Sequence, residues 1–268
     1  MRHGLNVNIL QAEGAHTPAT LLFAHGYGCD QTLWHGVAQA LPQTRRILFD
    51  WPGAGGSDMA AYDPIKHGEL DGYADDLLAL MEDMDLQDVI VVGHSVAATI
   101  GALAARRAPQ RFGLLAMVSP SPCFLNDLPF YEGGFESTQL EALITGLAEG
   151  QAAWSRSVAP LAMGNPDRPQ LATRLADSFC AMDPAIALRW ARATFLADIR
   201  LKVPEVKVPC VVMQAQDDAL APEAVGHWLH SHLPSSQLVL LQASGHCPHV
   251  SAPAEVADVL RARLAWRG

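Results

Sequence analysis

The segment Gly93-His94-Ser95-Val96-Ala97 stands between an unbroken apolar run, Val89-Ile90-Val91-Val92, and a stretch of helical character that begins at Val96. Few folds accommodate such a junction. A serine placed there is held on a sharp strand-to-helix turn with its hydroxyl projecting beyond the sheet edge, and small residues must flank it where strand and helix crowd together. Gly93 and Ala97 are those small residues, Ala97 adding one methyl group where glycine is usual. The segment therefore points to a layered α/β chain with a nucleophilic serine at a strand end. A motif this short also arises by chance, so its weight depends on what accompanies it elsewhere.

With 268 residues the chain is long enough for one large α/β domain, or for a core carrying an inserted subdomain. Half of its residues are hydrophobic, which argues against disorder, and its net charge of -10 has the wrong sign for gripping phosphate backbones. Nucleic acid and anionic membranes are thus not expected as partners. Met1 to Leu10 lack the pattern of a secretory leader, and no apolar run approaches bilayer length, so a cytoplasmic location is expected. The five cysteines, Cys29, Cys123, Cys180, Cys210 and Cys247, are odd in number and contain no C-x-x-C pair. They predict neither a disulfide framework nor a thiolate metal site. His227, His230 and His232 lie close together, and His246 and His249 would share a helix face, but no carboxylate or thiolate cluster accompanies them. No metal or organic cofactor is expected.

Apolar runs predict strands at Leu5 to Leu10, Thr20 to Ala24, Arg46 to Phe49, Asp88 to Val92, Leu114 to Val118, Val208 to Gln214 and Gln237 to Leu241. These runs are apolar on both faces and alternate with helical stretches, which predicts a mostly parallel central sheet flanked by helices, with the first strands as antiparallel edge members. Helices are expected over Asp71 to Met84, Val96 to Arg107, Pro222 to Leu233 and Pro253 to Trp266, the last two opening on proline. The rhythm breaks between Val118 and Val208. There Thr138 and Glu141 have capping-box spacing, Asp183-Pro184 reads as a helix start, and Asn165 to Pro169 should separate two helices. A helical lid over 124–196 is expected, inserted into a core made of 1–123 and 197–268. Eight acidic residues between Glu69 and Asp88 read as a solvated helix face.

A serine hydroxyl becomes a useful nucleophile only when a base removes its proton, and a carboxylate must orient that base. His246, in Ala243-Ser244-Gly245-His246, follows the last predicted strand, where a loop can carry the imidazole over the sheet edge. Asp217 and Asp218 follow the preceding strand, and by spacing either can be the acid, while one caps the next helix. His25-Gly26-Tyr27-Gly28 follows the Thr20 to Ala24 strand. The backbone amides of Tyr27 and Val96 are the candidate oxyanion hole, since the residue after the nucleophile commonly supplies one donor. His25 and His94 read as loop-orienting residues.

At these positions the chain resembles the RsbQ-type α/β hydrolases, the group of the bacterial stress-response activator RsbQ and the plant karrikin and strigolactone receptors. The motifs concerned include Gly26-Tyr27-Gly28-Cys29-Asp30-Gln31, Leu48-Phe49-Asp50, Gly55-Gly56-Ser57-Asp58, Gly93-His94-Ser95-Val96, Ser119-Pro120-Ser121-Pro122, Leu125-Asn126-Asp127, Gly133-Gly134-Phe135-Glu136 and Gly245-His246-Cys247-Pro248-His249. The resemblance spans nearly the whole chain. It implies the α/β-hydrolase fold, a Ser95, Asp218, His246 triad, with Asp218 standing four residues before Pro222, and a V-shaped lid of four helices. It further implies an apolar substrate pocket to which Tyr27, Phe135, Trp154, Val158, Phe195 and Leu220 correspond in position.

The leading expectation is a cofactor-free serine hydrolase, an esterase or lactonase acting on a small apolar ester or lactone through an acyl-serine. Dehalogenases and epoxide hydrolases of this layout carry Asp where Ser95 stands, whereas cofactor-free peroxidases and carbon-carbon bond hydrolases keep the serine. The alternative is a signalling component that senses or processes a small hydrophobic ligand and engages a protein partner. An intact triad is expected in both.

Overall fold

The computed structural model describes residues 3–14 and 19–266. Its seven strands are β1 (Val7–Leu10), β2 (Thr20–Ala24), β3 (Arg45–Phe49), β4 (Val89–His94), β5 (Phe112–Val118), β6 (Cys210–Gln216) and β7 (Ser236–Ser244). They form one sheet in the order β1-β3-β2-β4-β5-β6-β7. Only β1 runs antiparallel, pairing Val7 with Phe49; β2, expected at an antiparallel edge, is instead an interior parallel strand between β3 and β4. Its burial matches the position. All but the first residue of β2 are buried, so both of its edges and both of its faces need cover.

Alternate residues of the strands feed two separate cores. Leu21, Phe23, Ile90 and Val92 belong to one, with Trp34 and Leu260; Leu22, Ala24, Val89 and Val91 belong to the other, with Leu77, Ile100 and Leu229. The first face is covered by α1 (His35–Gln39) and α10 (Pro253–Trp266). The second lies under α2 (Leu70–Asp83), α3 (Val96–Arg107) and α8 (Glu223–His232). The acidic run on α2 is partly paired with side chains of other elements. Lys66 and His67 meet Asp76, Lys202 lies 3.1 Å from Asp71, and Arg107 reaches Asp75.

Between β5 and β6 the chain forms α4 (Ser137–Glu149), α5 (Gln151–Met163), α6 (Pro169–Ala181) and α7 (Pro184–Phe195). α5 packs on α6 and α4 on α7, and a bridge between Cys123 and Asp198 closes the neck of the excursion. The box that starts α4 joins Glu136 to Gln139, two residues before the expected Thr138 and Glu141, because the Gln139 side chain accepts the Glu136 amide at 2.8 Å. Asp183 caps α7 as expected, accepting from the amides of Ala185 and Ile186. Pro222 is the N-cap of α8 rather than its first helical residue. The short helix α9 (Pro248–Ser251) holds His249, while His246 lies in the preceding loop, so these two histidines do not share a helix face. No helix among the described residues is long and apolar enough to cross a membrane.

Candidate active site

Four strand ends converge on one point, as expected where ligands bind beyond the carboxyl ends of parallel strands. Ser95 follows β4 with φ 55° and ψ -123°, a backbone state that costs a non-glycine residue energy and aims its side chain away from the sheet. Two features hold it there. The Ser95 amide donates to the Val118 carbonyl on β5 at 2.9 Å, and Gly93 lets α3 approach closely, since a Cβ at Gly93 would stand 2.6 Å from the Ala98 nitrogen. Ala97 is itself fully buried without displacing the turn, so the extra methyl group is accommodated.

His246 brings its Nε2 to 2.8 Å from the Ser95 Oγ. Its Nδ1 lies 2.8 Å and 3.0 Å from the two carboxylate oxygens of Asp218. With Nδ1 donating to the carboxylate, Nε2 is left to accept the serine proton. Asp218 is oriented in turn by the amides of Leu220 and Ala221, which donate to its Oδ1 at 2.9 Å and 3.0 Å. Asp218 therefore both meets the imidazole and organises the turn leading into α8. Asp217, the other carboxylate the spacing allowed, is exposed on a left-handed residue of that turn.

The loop carrying His246 is tied to the helical insertion and to the floor. Its amide donates to the Ala162 carbonyl near the end of α5 at 2.7 Å, and Asn165 Nδ2 donates to the Ser244 carbonyl at 3.1 Å. From below, His94 Nε2 donates to the His246 carbonyl at 2.8 Å. Burial, reinforced by neighbouring imidazoles, holds His94 well below the usual histidine range and so neutral. His25 is also buried and pushed down; its Nδ1 donates to the Gly26 carbonyl and its Nε2 accepts the Trp51 amide. Both histidines thus shape loops, as their positions in the sequence suggested.

Above Ser95 is a cavity of about 30 Å³. Of the six residues expected to line a pocket, Tyr27, Trp154, Val158, Phe195 and Leu220 do so. Phe135 does not. Backbone hydrogen bonding to Phe124 and Asn126 holds it beside the Phe124 ring, 6.4 Å away, and Phe124 packs in turn on Phe195. Phe179, one of the aromatics scattered through the insertion, also lines the cavity, as do Leu175 and Thr194, which no sequence signal singled out because nothing in their helices states which face meets it. Tyr27 sits among the Trp154, Phe179, Trp190 and Phe195 rings at centroid distances of 5.6 to 6.2 Å, and its hydroxyl donates to the Ala187 carbonyl on α7. Val96 opens α3, and a first-turn amide has no intrahelical acceptor. Cys29 and Cys247 also border the cavity, but burial pushes both thiols up, leaving them protonated and poor nucleophiles. His227, His230 and His232 lie apart on exposed positions of α8, His227 meeting Glu223 and His232 stacking on Trp228. Among the described residues, no group of three His, Cys, Asp or Glu side chains is placed to hold a metal.

The profile of the α/β hydrolase family matches residues 21–259. The chain belongs to this family. This α/β hydrolase is 36% identical to a strigolactone esterase from Arabidopsis thaliana over 96% of its own length and 98% of that protein. It is 35% identical to a karrikin insensitive 2 receptor from Petunia hybrida, covering 90% of each chain. Among solved structures it superposes with a TM-score of 0.94 on a hydrolase from Oleispira antarctica, 36% identical, covering 98% of this hydrolase and 95% of that one.

Proposed function

We propose that this α/β hydrolase is a serine esterase or lactonase in which Ser95, His246 and Asp218 form the catalytic triad. The observation that carries the reading is the unbroken hydrogen-bond chain from Asp218 through His246 to Ser95, with 2.8 Å contacts on either side of the imidazole, at the floor of an apolar cavity. Ser95 Oγ attacks the substrate carbonyl carbon while His246 Nε2 takes its proton; Asp218 holds the ring and offsets the imidazolium charge. The tetrahedral oxyanion is held by the amides of Tyr27 and Val96, and loss of such a donor generally costs about a hundredfold or more. Collapse expels the alkoxide, which takes the proton from His246, and leaves an acyl-serine. Water then attacks with the same base, restoring the serine and releasing the acid. Residues 124–196 act as a lid over this site, and 1–123 with 197–268 as the core beneath it.

The substrate class in this reading is a small, mostly apolar ester or lactone. The aromatic lining supports this, as does the relationship to a protein named for esterase action on strigolactone. A fluorophosphonate adduct by intact mass, together with p-nitrophenyl acetate turnover, both present in wild type and both absent in folded Ser95→Ala, is the expected result. Undiminished turnover in the variant would refute it.

A second reading is favoured by the cavity itself, whose 30 Å³ is small for an ester or lactone with the lid side chains where they stand. Any substrate must move aromatic side chains of the lid to enter, so occupancy and lid position are coupled. That is what a ligand sensor with a protein partner requires. Slow turnover with a ligand-dependent drop in melting temperature would favour the sensor; fast turnover with no change in melting behaviour would favour the plain enzyme.

A further inference from the structure

Thr194 lies on α7 one turn beyond Trp190, on the face that also carries Ala187 and Ala191 toward Tyr27. It is 2% exposed and lines the cavity above Ser95. A threonine within a helix ordinarily returns its hydroxyl proton to the carbonyl three or four residues back. Thr194 does not, and its Oγ1 is buried with no hydrogen-bond partner. A buried hydroxyl left unsatisfied is destabilising. Valine has the same shape and would avoid that cost, so the threonine at this position points to a hydrogen-bond partner supplied by substrate.

The other polar groups of the cavity are occupied or turned away. Ser95 Oγ and His246 Nε2 bond each other, and the Tyr27 hydroxyl donates to Ala187. His94 Nδ1 also lacks a partner, but it is pressed against Gly26, where a Cβ would come within 2.5 Å of it. Ser155 Oγ and Trp190 Nε1 are unpartnered but do not line the cavity.

We propose that Thr194 is a specificity-determining residue whose hydroxyl donates to a second oxygen of the substrate, an ether or carbonyl oxygen apart from the ester or lactone group that Ser95 attacks. This rests on the hydrolase reading above. The preferred substrates are then dioxygenated: one carbonyl over Ser95, one acceptor oxygen under α7, and apolar carbon between them against Tyr27, Trp154 and Phe195. An all-hydrocarbon acyl chain of the same length leaves the hydroxyl unpaired and is disfavoured, because a site built to hydrogen-bond rejects an analogue lacking the partner.

The test uses p-nitrophenyl alkanoate esters and matched oxa- and oxo-analogues, with oxygen replacing or joining each chain carbon from the third to the sixth in turn. These are assayed with wild type, Thr194→Val and Thr194→Ser, and kcat/KM ratios are corrected for each ester's alkaline hydrolysis rate. For at least one oxygen position, wild type should prefer the analogue over its hydrocarbon match by about tenfold. Thr194→Val should lose that preference, and Thr194→Ser should keep most of it, while melting temperatures exclude misfolding as the cause. Equal ratios in wild type and Thr194→Val across the whole series would overturn the proposal. If wild type hydrolyses no ester, the catalytic reading fails separately. The same comparison is then made by tryptophan fluorescence with matched hydrocarbon and ether or ketone ligands, where loss of an ether or ketone preference in Thr194→Val supports the proposal and identical affinities overturn it.

Discussion

Gly93 and Ala97 meet back to back across the turn that carries Ser95: a Cβ on Gly93 would stand 2.7 Å from the Ala97 carbonyl carbon. Because both contacting groups are backbone, neither can rotate away. Gly93→Ala should push strand and helix apart, displace Ser95 and lower kcat/KM by about 100-fold or more, the usual effect of misplacing a reacting atom by about 1 Å. Ala97→Gly should cost about 1 kcal/mol of stability through helix propensity and keep most activity. Ester turnover and thermal melts on both variants check this, and a fully active Gly93→Ala would show that the turn has slack.

Asp218 and Asp217 are neighbours with opposite surroundings, one buried against His246 and the other exposed. Asp218→Asn should lower kcat by about 10⁴-fold, because the amide no longer selects the imidazole tautomer that accepts the serine proton. Asp217→Asn should change it by about twofold at most, the ordinary effect of a surface substitution. Steady-state kinetics decide between them, and the reverse ranking would move the acid to Asp217.

His249 has both ring nitrogens buried without partners and stacks between Trp34 and His94, at 4.4 Å and 4.2 Å. Burial, with His246 and Arg174 adding repulsion, pushes its pKa down to about 3. Between pH 6.5 and 3 the unfolded chain therefore binds a proton that the folded chain refuses, so stability is complete above about pH 6.5 and falls as pH drops toward 3. One such group contributes a slope of up to about 1.4 kcal/mol per pH unit. His25 and His94, also pushed down by burial, act in the same direction. Urea midpoints measured from pH 7 to 4 should fall less steeply in His249→Phe than in wild type. Parallel curves would exclude His249 as a source of acid sensitivity.

Phe179 fills space beside Tyr27 and Trp154, at 6.0 Å and 5.5 Å between ring centroids. Phe179→Leu should open room for one or two further substrate carbons and raise kcat/KM for longer acyl esters relative to acetate by about tenfold, in keeping with the discrimination expected per methylene. A p-nitrophenyl ester series from acetate to octanoate measures this. An unchanged chain-length profile would place the acyl group elsewhere in the cavity.

The strands and the nucleophile turn were legible in the chain because their causes are local. Apolar runs such as Val89 to Val92 need burial on both faces whatever surrounds them, and a serine between small residues at a strand-to-helix junction has few conformations open to it. The α7 start at Asp183-Pro184 was legible for the same reason, since cap and helix lie within three residues of each other. Edge position was not. Whether β2 lies inside the sheet or at its rim depends on pairing with β3 and β4, and nothing within Thr20 to Ala24 states its neighbours.

For the site, residue identities and their order along the chain were enough to nominate Ser95 and His246, and likeness to known hydrolases singled out Asp218 from its neighbour. The fold supplied what no local pattern can: a 2.8 Å contact between residues 151 positions apart, the tether from Ala162 to the His246 loop, and the roof that α6 and α7 place over Tyr27. It also removed Phe135 from the cavity and put Thr194 into it. The reason is the geometry of helices: which face of an inserted helix turns inward is set by its packing partners, and a hydroxyl on that face looks the same in sequence whether it faces solvent, a carbonyl or a cavity.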